Sequence, residues 1–556
     1  MKKIVTLLTL TLGAVAFATA AVAEENENEL PRESRPRRAS GSMVVKARPG
    51  SLPRDADMFA PAAVPVERRH YTWTPEFMAN ARAEAYVDAS VPAGFRLGGN
   101  VGTPEQPMSP RAPTRNITFE GLNIATSGYL GFRAFPPDTI VSVSPTKILQ
   151  GTNVALRLTT RTGVEIDARP LNSFFGFSGD TLLFDPKVYF DRLSERFYVV
   201  ALEQSEQPQR SGIWVAISKS DDPTMLSAPD EFCTYRFNGK IAGSWADYPL
   251  LGINEEWLAV AVNTFGFNGG PFRQVQIYTL PVAQVTDNAD GCPTLGVKRF
   301  TPKTDAAGFI AFNIHPAQHY TTNNLEGSPL FLVSSSFALP TADYTLWRIR
   351  TTDAGQPQIT KQTIPGDFAY NIPPLAPQKD GLPLDTGDIR VTQAAFRDGK
   401  LWAVHGTSCA VGALPNESCV RAIEITPTDD TASITFSETF GQPNTFLFWP
   451  GVAINASGDV VLAFQRAREN ARLDMVFNGK REAAAHFDSL RALRVSNCPL
   501  DNVPDGSSVN RTGDYVGIQT DPLDDHAFWI AGEYAGTVNQ ETGCNWKTRI
   551  GRVQYN

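Results

Sequence analysis

The stretches "RFYVVALE" (Arg196–Glu203) and "EWLAVAVNTF" (Glu256–Phe265) decide the fold. Each is a short run of aromatic, β-branched and small apolar residues at consecutive positions, so both faces of the strand need cover. That is the pattern expected when every sheet has another sheet on either side.

Around them, from about Asn116 onward, the chain breaks into roughly two dozen strand-like runs. "KILQGT", "KVYFD", "IWVAISKS", "VQIYTL", "LFLVSSS", "YTLWRIR", "KLWAVHG", "VVLAFQRA" and "AFWIAGEY" are separated by clusters of Gly, Pro, Asn, Asp and Ser. No helical stretches alternate with them, which argues against a parallel α/β sheet. A β-propeller, in which four-stranded sheets pack radially, accommodates these strands in about six blades, with five to seven inside the range. No exact period is visible, so the blades have diverged. The fold expected is therefore all-β, a single β-propeller. Its ring is expected to close by pairing the final "TRIGRVQYN" with "RNITFEG" at the start of the strand-rich region.

Composition agrees. The 556 residues include 43 Gly, 41 Pro and 33 Phe but only seven Met, and 19% are charged, which suits many short strands joined by turns. A net charge of −8 gives no basic footprint for nucleic acid, so that partner class is excluded.

At the N-terminus, "MKKIVTLLTLTLGAVAFATAAVA" carries two lysines, an apolar run and a small-residue cleavage site, which predicts a secretory signal peptide over 1–23. Residues 24–115 read as a flexible, disordered Pro/Arg-rich leader, with one short helix over Thr74–Ser90 capped by Thr74 and started by Pro75. Its segment Pro31–His70 holds nine Lys/Arg and four Asp/Glu, a charge excess that fits a solvated tail or contact with an acidic surface. The propeller is expected over 116–556. No later run reaches the roughly 18 apolar residues of a membrane helix, so the mature chain carries no predicted span and is expected to be secreted or periplasmic.

Export makes the six cysteines candidates for bridges. Cys409 and Cys419 flank the turn-rich "AVGALPNES" and form the best-supported pair. Cys233 with Cys292 and Cys498 with Cys544 follow as neighbours in order, while the other connectivities stay open. The cysteine and histidine spacing fits no zinc site.

The common catalytic signatures are missing: Gly176-Phe177-Ser178-Gly179 has the wrong spacing for a nucleophile elbow, and no zinc-protease or P-loop motif occurs. His315 and His319 stand four apart, but Pro316 argues against a helix, and on a strand they would lie about 13 Å apart. No metal ligands are assigned. A structural calcium ion has two weak candidate loops, "TDNADGC" with Asn288 and Asp290, and "TDPLDDH" with Asp521, Asp524 and Asp525. The acidic residues of the second are equally expected to bond turn backbone.

The polar residues in phase with apolar ones carry more information. Asp514 shares a strand face with Val516 and Ile518, and Glu533 shares one with Trp529 and Ala531. A carboxylate facing a core must be paired or hydrogen-bonded. Arg511, Arg390 and Arg549 are available partners, and Asp247 in "WADYP" and Asp388 with Arg390 in "GDIR" repeat the placement of charge at a strand start. Asp247, Asp514 and Glu533 are thus the candidate catalytic carboxylates, and Arg390, Arg511 and Tyr534 the candidate binding residues. The competing reading makes the same charges ties between blade ends.

Several segments resemble a group of exported bacterial β-propeller proteins of largely unassigned role. They are "PPDTIVSVSPTKILQGTN" (Pro136–Asn153), "DPKVYFDRLSERFYVVALEQ", "IWVAISKSDDPT", "WADYPLLGINEEWLAVAVNTF" (Trp245–Phe265), "LDTGDIRVTQAAFRDGKLWAVHG", "FWPGVAINASGDVVLAFQRA" and "WKTRI", in order from about Phe135 to Tyr555. That group is loosely similar to sialidase-type propellers. "SKSDDPTMLSAP" keeps only the Ser and Asp of their Asp-box repeat, so sialoside hydrolysis is not carried over. The reading is a binding or scaffolding module for a glycan or cell-surface partner. The alternative is a polysaccharide-active hydrolase or lyase.

Overall fold

The computed structural model describes residues 112–129, 134–179, 181–288, 291–337, 339, 341–411, 416–501, 508–539 and 543–555, together with two short strands, Val44–Ala47 and Val66–Glu67. The expected signal peptide, most of the leader and the helix over Thr74–Ser90 lie outside the described residues.

The strand ladders resolve into a propeller of seven four-stranded antiparallel units among the described residues. Five stand as separate sheets, and two more are the halves of a ten-stranded sheet. Their inner strands, in chain order, are Ile140–Val143 (blade I), Leu183–Asp191 (II), Ser244–Ile253 (III), His315–Pro316 (IV), Val391–Arg397 (V), Phe446–Ile454 (VI) and Gly517–Thr520 (VII). Gln318–His319 joins blades III and V by short parallel pairings, which is why those two share one hydrogen-bonded sheet. Each inner strand packs against the next, and blade VII packs back on blade I.

The double-sided strands behave as their composition requires. Along Arg196–Glu206, Phe197, Val199 and Ala201 enter the core between blades I and II, while Tyr198, Val200 and Leu202 enter the core between II and III. Along Trp257–Gly266, Leu258, Val260 and Val262 face blade II, and Trp257, Ala259 and Ala261 face blade IV. Burying each Val or Leu side chain stabilises by about 1.5–3 kcal/mol. A polar residue on either face would therefore weaken an inter-blade seam.

The ring closes as expected. Thr114–Asn123 pairs antiparallel with Gly543–Gln554 as the outer strand of blade VII, so both ends of the strand-rich region complete one sheet. Ahead of it, Val44–Ala47 pairs with Leu295–Phe300 at the outer edge of blade III, and Val66–Glu67 pairs with Ala134–Phe135. All three disulfides follow the sequential pairing: Cys233–Cys292, Cys409–Cys419 and Cys498–Cys544. No helix among the described residues is long and apolar enough to cross a membrane.

Candidate functional site

Six of the seven inner strands carry, at or near their start, a device that no uniform sequence period reveals. Asp138, Asp185, Tyr248, Asn313, Gly387 and Trp449 all have left-handed φ, between 45° and 71°. In blades III and VI the ladder register shifts at that point, and in blade II it shifts opposite Asp185. A bulge here re-aims the next side chains. Asp and Asn tolerate this conformation best, whereas Tyr248 and Trp449 must be held by surrounding contacts. The sequence trace is a polar or aromatic residue followed by proline at the head of an apolar strand, in "FDPK", "DYPL" and "FWPG".

These bulges gather charge at one end of the channel. Asp138 accepts hydrogen bonds from the Asp514 amide and the Asn153 side chain, both at 2.9 Å, and Asn153 accepts from the Asp185 amide at 3.0 Å. One carboxylate and one amide thereby tie blades VII, I and II. Asp514, 2% exposed, faces Arg511, whose guanidinium lies 3.3 Å from both carboxylate oxygens and 3.7 Å from Asp385. In blade V, Arg390 grips Asp388 with two side-chain hydrogen bonds of 2.8 and 2.6 Å and lies 4.2 Å over the Tyr248 ring. The Tyr248 hydroxyl donates to the Asp514 carbonyl at 3.4 Å. Asp247, next to Tyr248, is itself buried at 2% exposure.

Glu533 is fully buried. Its carboxylate oxygen accepts from the Gly513 amide at 2.8 Å and from the Gln465 side chain at 3.3 Å. Burial pushes its carboxyl up to about 8, against these two donors, and the charge on Asp514 adds to the rise. Asp514 and Glu533 are thus brought together through Gly513. Tyr534 points to the opposite strand face, where its hydroxyl donates to Glu120 at 2.6 Å, and Arg549 pairs with the same glutamate at 2.7 Å. The structure therefore separates Tyr534 and Arg549 from the channel group.

Sequence reasoning missed Asp138, Asp185 and Lys187. Lys187 lies 7% exposed in the channel, with Nζ 2.9 Å from the centre of the Tyr515 ring. With His315, Gln318, Thr392, Gln393 and Tyr515 it lines a cavity of about 20 Å³ for the centres of water-sized molecules. That is room for one or two waters, whereas pockets for sugar-sized ligands are typically about 300 Å³ or more. Burial, with the Lys187 charge, pushes His315 down to about 3, and its Nδ1 contacts the Pro316 carbonyl at 2.8 Å. His319 instead packs on Phe331 and Phe396, so the two histidines serve different surroundings.

The other end of the channel is crossed by the acidic turn. Asp525 takes hydrogen bonds from Arg192 of blade II at 2.6 Å and from Arg397 of blade V at 2.8 and 2.5 Å. Asp521 takes Arg161 of blade I at 2.7 and 2.6 Å, Arg552 at 2.9 Å and the Trp529 indole at 3.0 Å, and Asp524 also pairs with Arg552. Four arginines thus pair with the carboxylates of "TDPLDDH", and the turn ties blade VII to blades I, II and V. In the other calcium candidate, residues 289 and 290 lie outside the described residues, and Asn288 donates to the Ser218 carbonyl. Among the described residues no cluster of three or more His, Cys, Asp or Glu side chains has metal-binding geometry.

The described residues define the class, a β-propeller of seven four-stranded units with charged residues along its axis. No protein-family model matches the chain, and no curated protein matches it. Among solved structures it is loosely similar to a Dyadobacter fermentans protein of unknown function, with 10% identity over 76% of this chain and 94% of that one and a TM-score of 0.34. The Dos1 propeller gives 10% identity over 80% and 95%, with a TM-score of 0.38. The Trypanosoma rangeli sialidase gives 10% over 66% and 54%, with a TM-score of 0.32.

Proposed function

We propose that this chain is an exported β-propeller that works as a binding or scaffolding module, taking a glycan or cell-surface partner on the loops around its channel mouth. The observation that carries the reading is the narrowness of the axis. Its cavity has room for one or two waters, and the carboxylates of Asp388, Asp514 and Glu533 accept from Arg390, Arg511 and the Gly513 amide. A macromolecular ligand must then be met by the rim. The connections that enter the inner strands at the mouth expose Phe309 (51%), Ile310 (59%) and Leu382 (44%). The Phe309 amide is fixed to Asp305 at 2.8 Å, so the apolar tip is presented on a hydrogen-bonded turn. Exposed apolar groups on such a turn are the expected anchor of an interface. Three disulfides support an oxidising compartment, secreted or periplasmic.

A glycan and surface-extract binding screen of the mature chain tests this reading, with Phe309→Ser/Ile310→Ser as the rim variant. Specific binding lost in that variant is expected; binding unchanged by it would remove the rim from the proposal.

One observation favours the alternative, a polysaccharide-active hydrolase or lyase built on Asp247, Asp514 and Glu533. Burial keeps the Glu533 proton on near neutrality, the state a general acid needs. Depolymerisation abolished by Glu533→Gln would replace the binding reading with this one. Activity indifferent to that change removes Glu533 from the chemistry.

A further inference from the structure

The axial channel contains an amine that the surrounding hydrogen bonds leave unclaimed. Arg390 and Arg511 are each matched to a carboxylate. Among the described residues, Nζ of Lys187 instead rests on the Tyr515 ring at 2.9 Å, with Tyr248 at 5.9 Å, and forms neither a hydrogen bond nor an ion pair. The Tyr515 hydroxyl is likewise buried without a partner. Both side chains line the small axial cavity, beside Gln318 and Gln393. A primary amine that solvation does not stabilise as ammonium, set in a cavity, is the arrangement that makes lysine a nucleophile.

We propose that Lys187 is a covalent capture site for one- or two-carbon aldehydes, held as a Schiff base inside the axial channel. The amine lone pair forms a bond to the carbonyl carbon while the C=O π pair moves to oxygen, giving a carbinolamine. The oxygen then leaves as water with the two protons the amine carried, and the C=N bond remains. No oxidant or reductant is consumed. Protonation of that imine restores a cation, and the carboxylates of Asp138, Asp185 and Asp514 and the face of Tyr515 favour it. The size limit comes from the cavity, which has room for one or two water-sized groups. Burial lowers Lys187 to about 7 against the pull of the three aspartates, so a large share of the amine is unprotonated near neutrality. This site is independent of the rim interface proposed above.

The test uses the full chain with formaldehyde or glycolaldehyde and cyanoborohydride as the trap, followed by peptide mass mapping of each lysine. Exposed Lys303 and Lys379 serve as internal references. Between pH 7 and pH 9 the free-amine fraction of an ordinary lysine rises about 100-fold, whereas an amine half-deprotonated at pH 7 gains only about twofold. Lys187 is therefore expected to be trapped at pH 7 with that shallow pH profile, and benzaldehyde, too large for the cavity, is expected to modify only the reference lysines. Lys187→Met, which keeps the side-chain length without the amine, should lose the adduct without changing the circular dichroism spectrum. The proposal is overturned if Lys187 stays unmodified while Lys303 and Lys379 react, becoming reactive only in urea. A 100-fold pH profile at Lys187, or its modification by benzaldehyde, overturns it equally.

Discussion

Replacing Glu533 by glutamine is expected to stabilise the protein, and increasingly so as the pH rises. The group is wholly buried, and its carboxyl moves from 4.5 to about 8 on folding. The folded chain thus binds a proton that the unfolded chain releases above pH 4.5, so the stability this group permits is fully present below that value and is lost as pH rises through 8. At about 1.4 kcal/mol per unit, the full window corresponds to an upper bound of about 5 kcal/mol. Glutamine mimics the protonated acid. Its carbonyl can accept from Gly513, and its amide can donate to the Gln465 carbonyl oxygen, which is buried without a partner. Urea unfolding at pH 5 and at pH 8.5 measures the effect. The variant should exceed wild type by about 1 kcal/mol at pH 5 and by several at pH 8.5. Parallel pH dependences in the two proteins would refute the buried, protonated state assigned to Glu533.

Asp521→Asn acts with the opposite sign. Burial raises Asp521, but Arg161 and Arg552 outweigh it and hold the carboxylate below its ordinary range, so its contribution is present above about pH 4 and lost as pH falls through the folded value. The variant should lose about 3–5 kcal/mol at pH 7, a difference from wild type that narrows progressively in acid unfolding as pH falls below about 4. Asp525→Ala strands Arg192 and Arg397; because Asp525 is 30% exposed, the expected loss in urea unfolding is smaller, about 2 kcal/mol. Deleting Thr114–Asn123 leaves Gly543–Gln554 as an unpaired edge, and size-exclusion chromatography should show aggregation in place of a monodisperse peak.

Much of the fold was legible because it rests on local composition. "FYVVAL" and "LAVAV" demand cover on both faces, and the cores on either side of those strands supply it. The terminal pairing followed from order along the chain, as did Cys409–Cys419 from its turn-rich spacing, while the structure selects Cys233–Cys292 and Cys498–Cys544 from the connectivities left open. Blade number was less sharp because blade IV's inner strand is reduced to His315–Pro316 and the connections vary widely in length. The candidate site was half legible. Charge at strand starts pointed to Asp388, Arg390 and Asp514, and a shared face with Trp529 and Ala531 pointed to Glu533, whereas nothing in "FDPK" distinguishes a lysine in the channel from one on the surface. Alternation fixes which face a residue occupies, but the bulge at Asp185 resets that alternation.

The same bulges explain why the two ends of the axis differ chemically. At the mouth, six left-handed turns bring acids and amines from different blades into low-dielectric surroundings, where desolvation outweighs pairing and Glu533 and Lys187 are both driven toward neutrality. At the far end Arg161 from a blade I turn, Arg552 from Gly543–Gln554, Arg192 just past Leu183–Asp191 and Arg397 at the end of Val391–Arg397 converge, and Asp521 and Asp525 are held in their charged forms because two guanidiniums meet each carboxylate. The two ends of the axis thus differ in charge state: the acidic turn holds ionised carboxylates between arginines, whereas at the mouth burial drives Glu533 and Lys187 toward their neutral forms. If that division holds, neutralising the turn should lower stability without altering aldehyde trapping at Lys187, and changing Lys187 should leave the closing ion pairs intact.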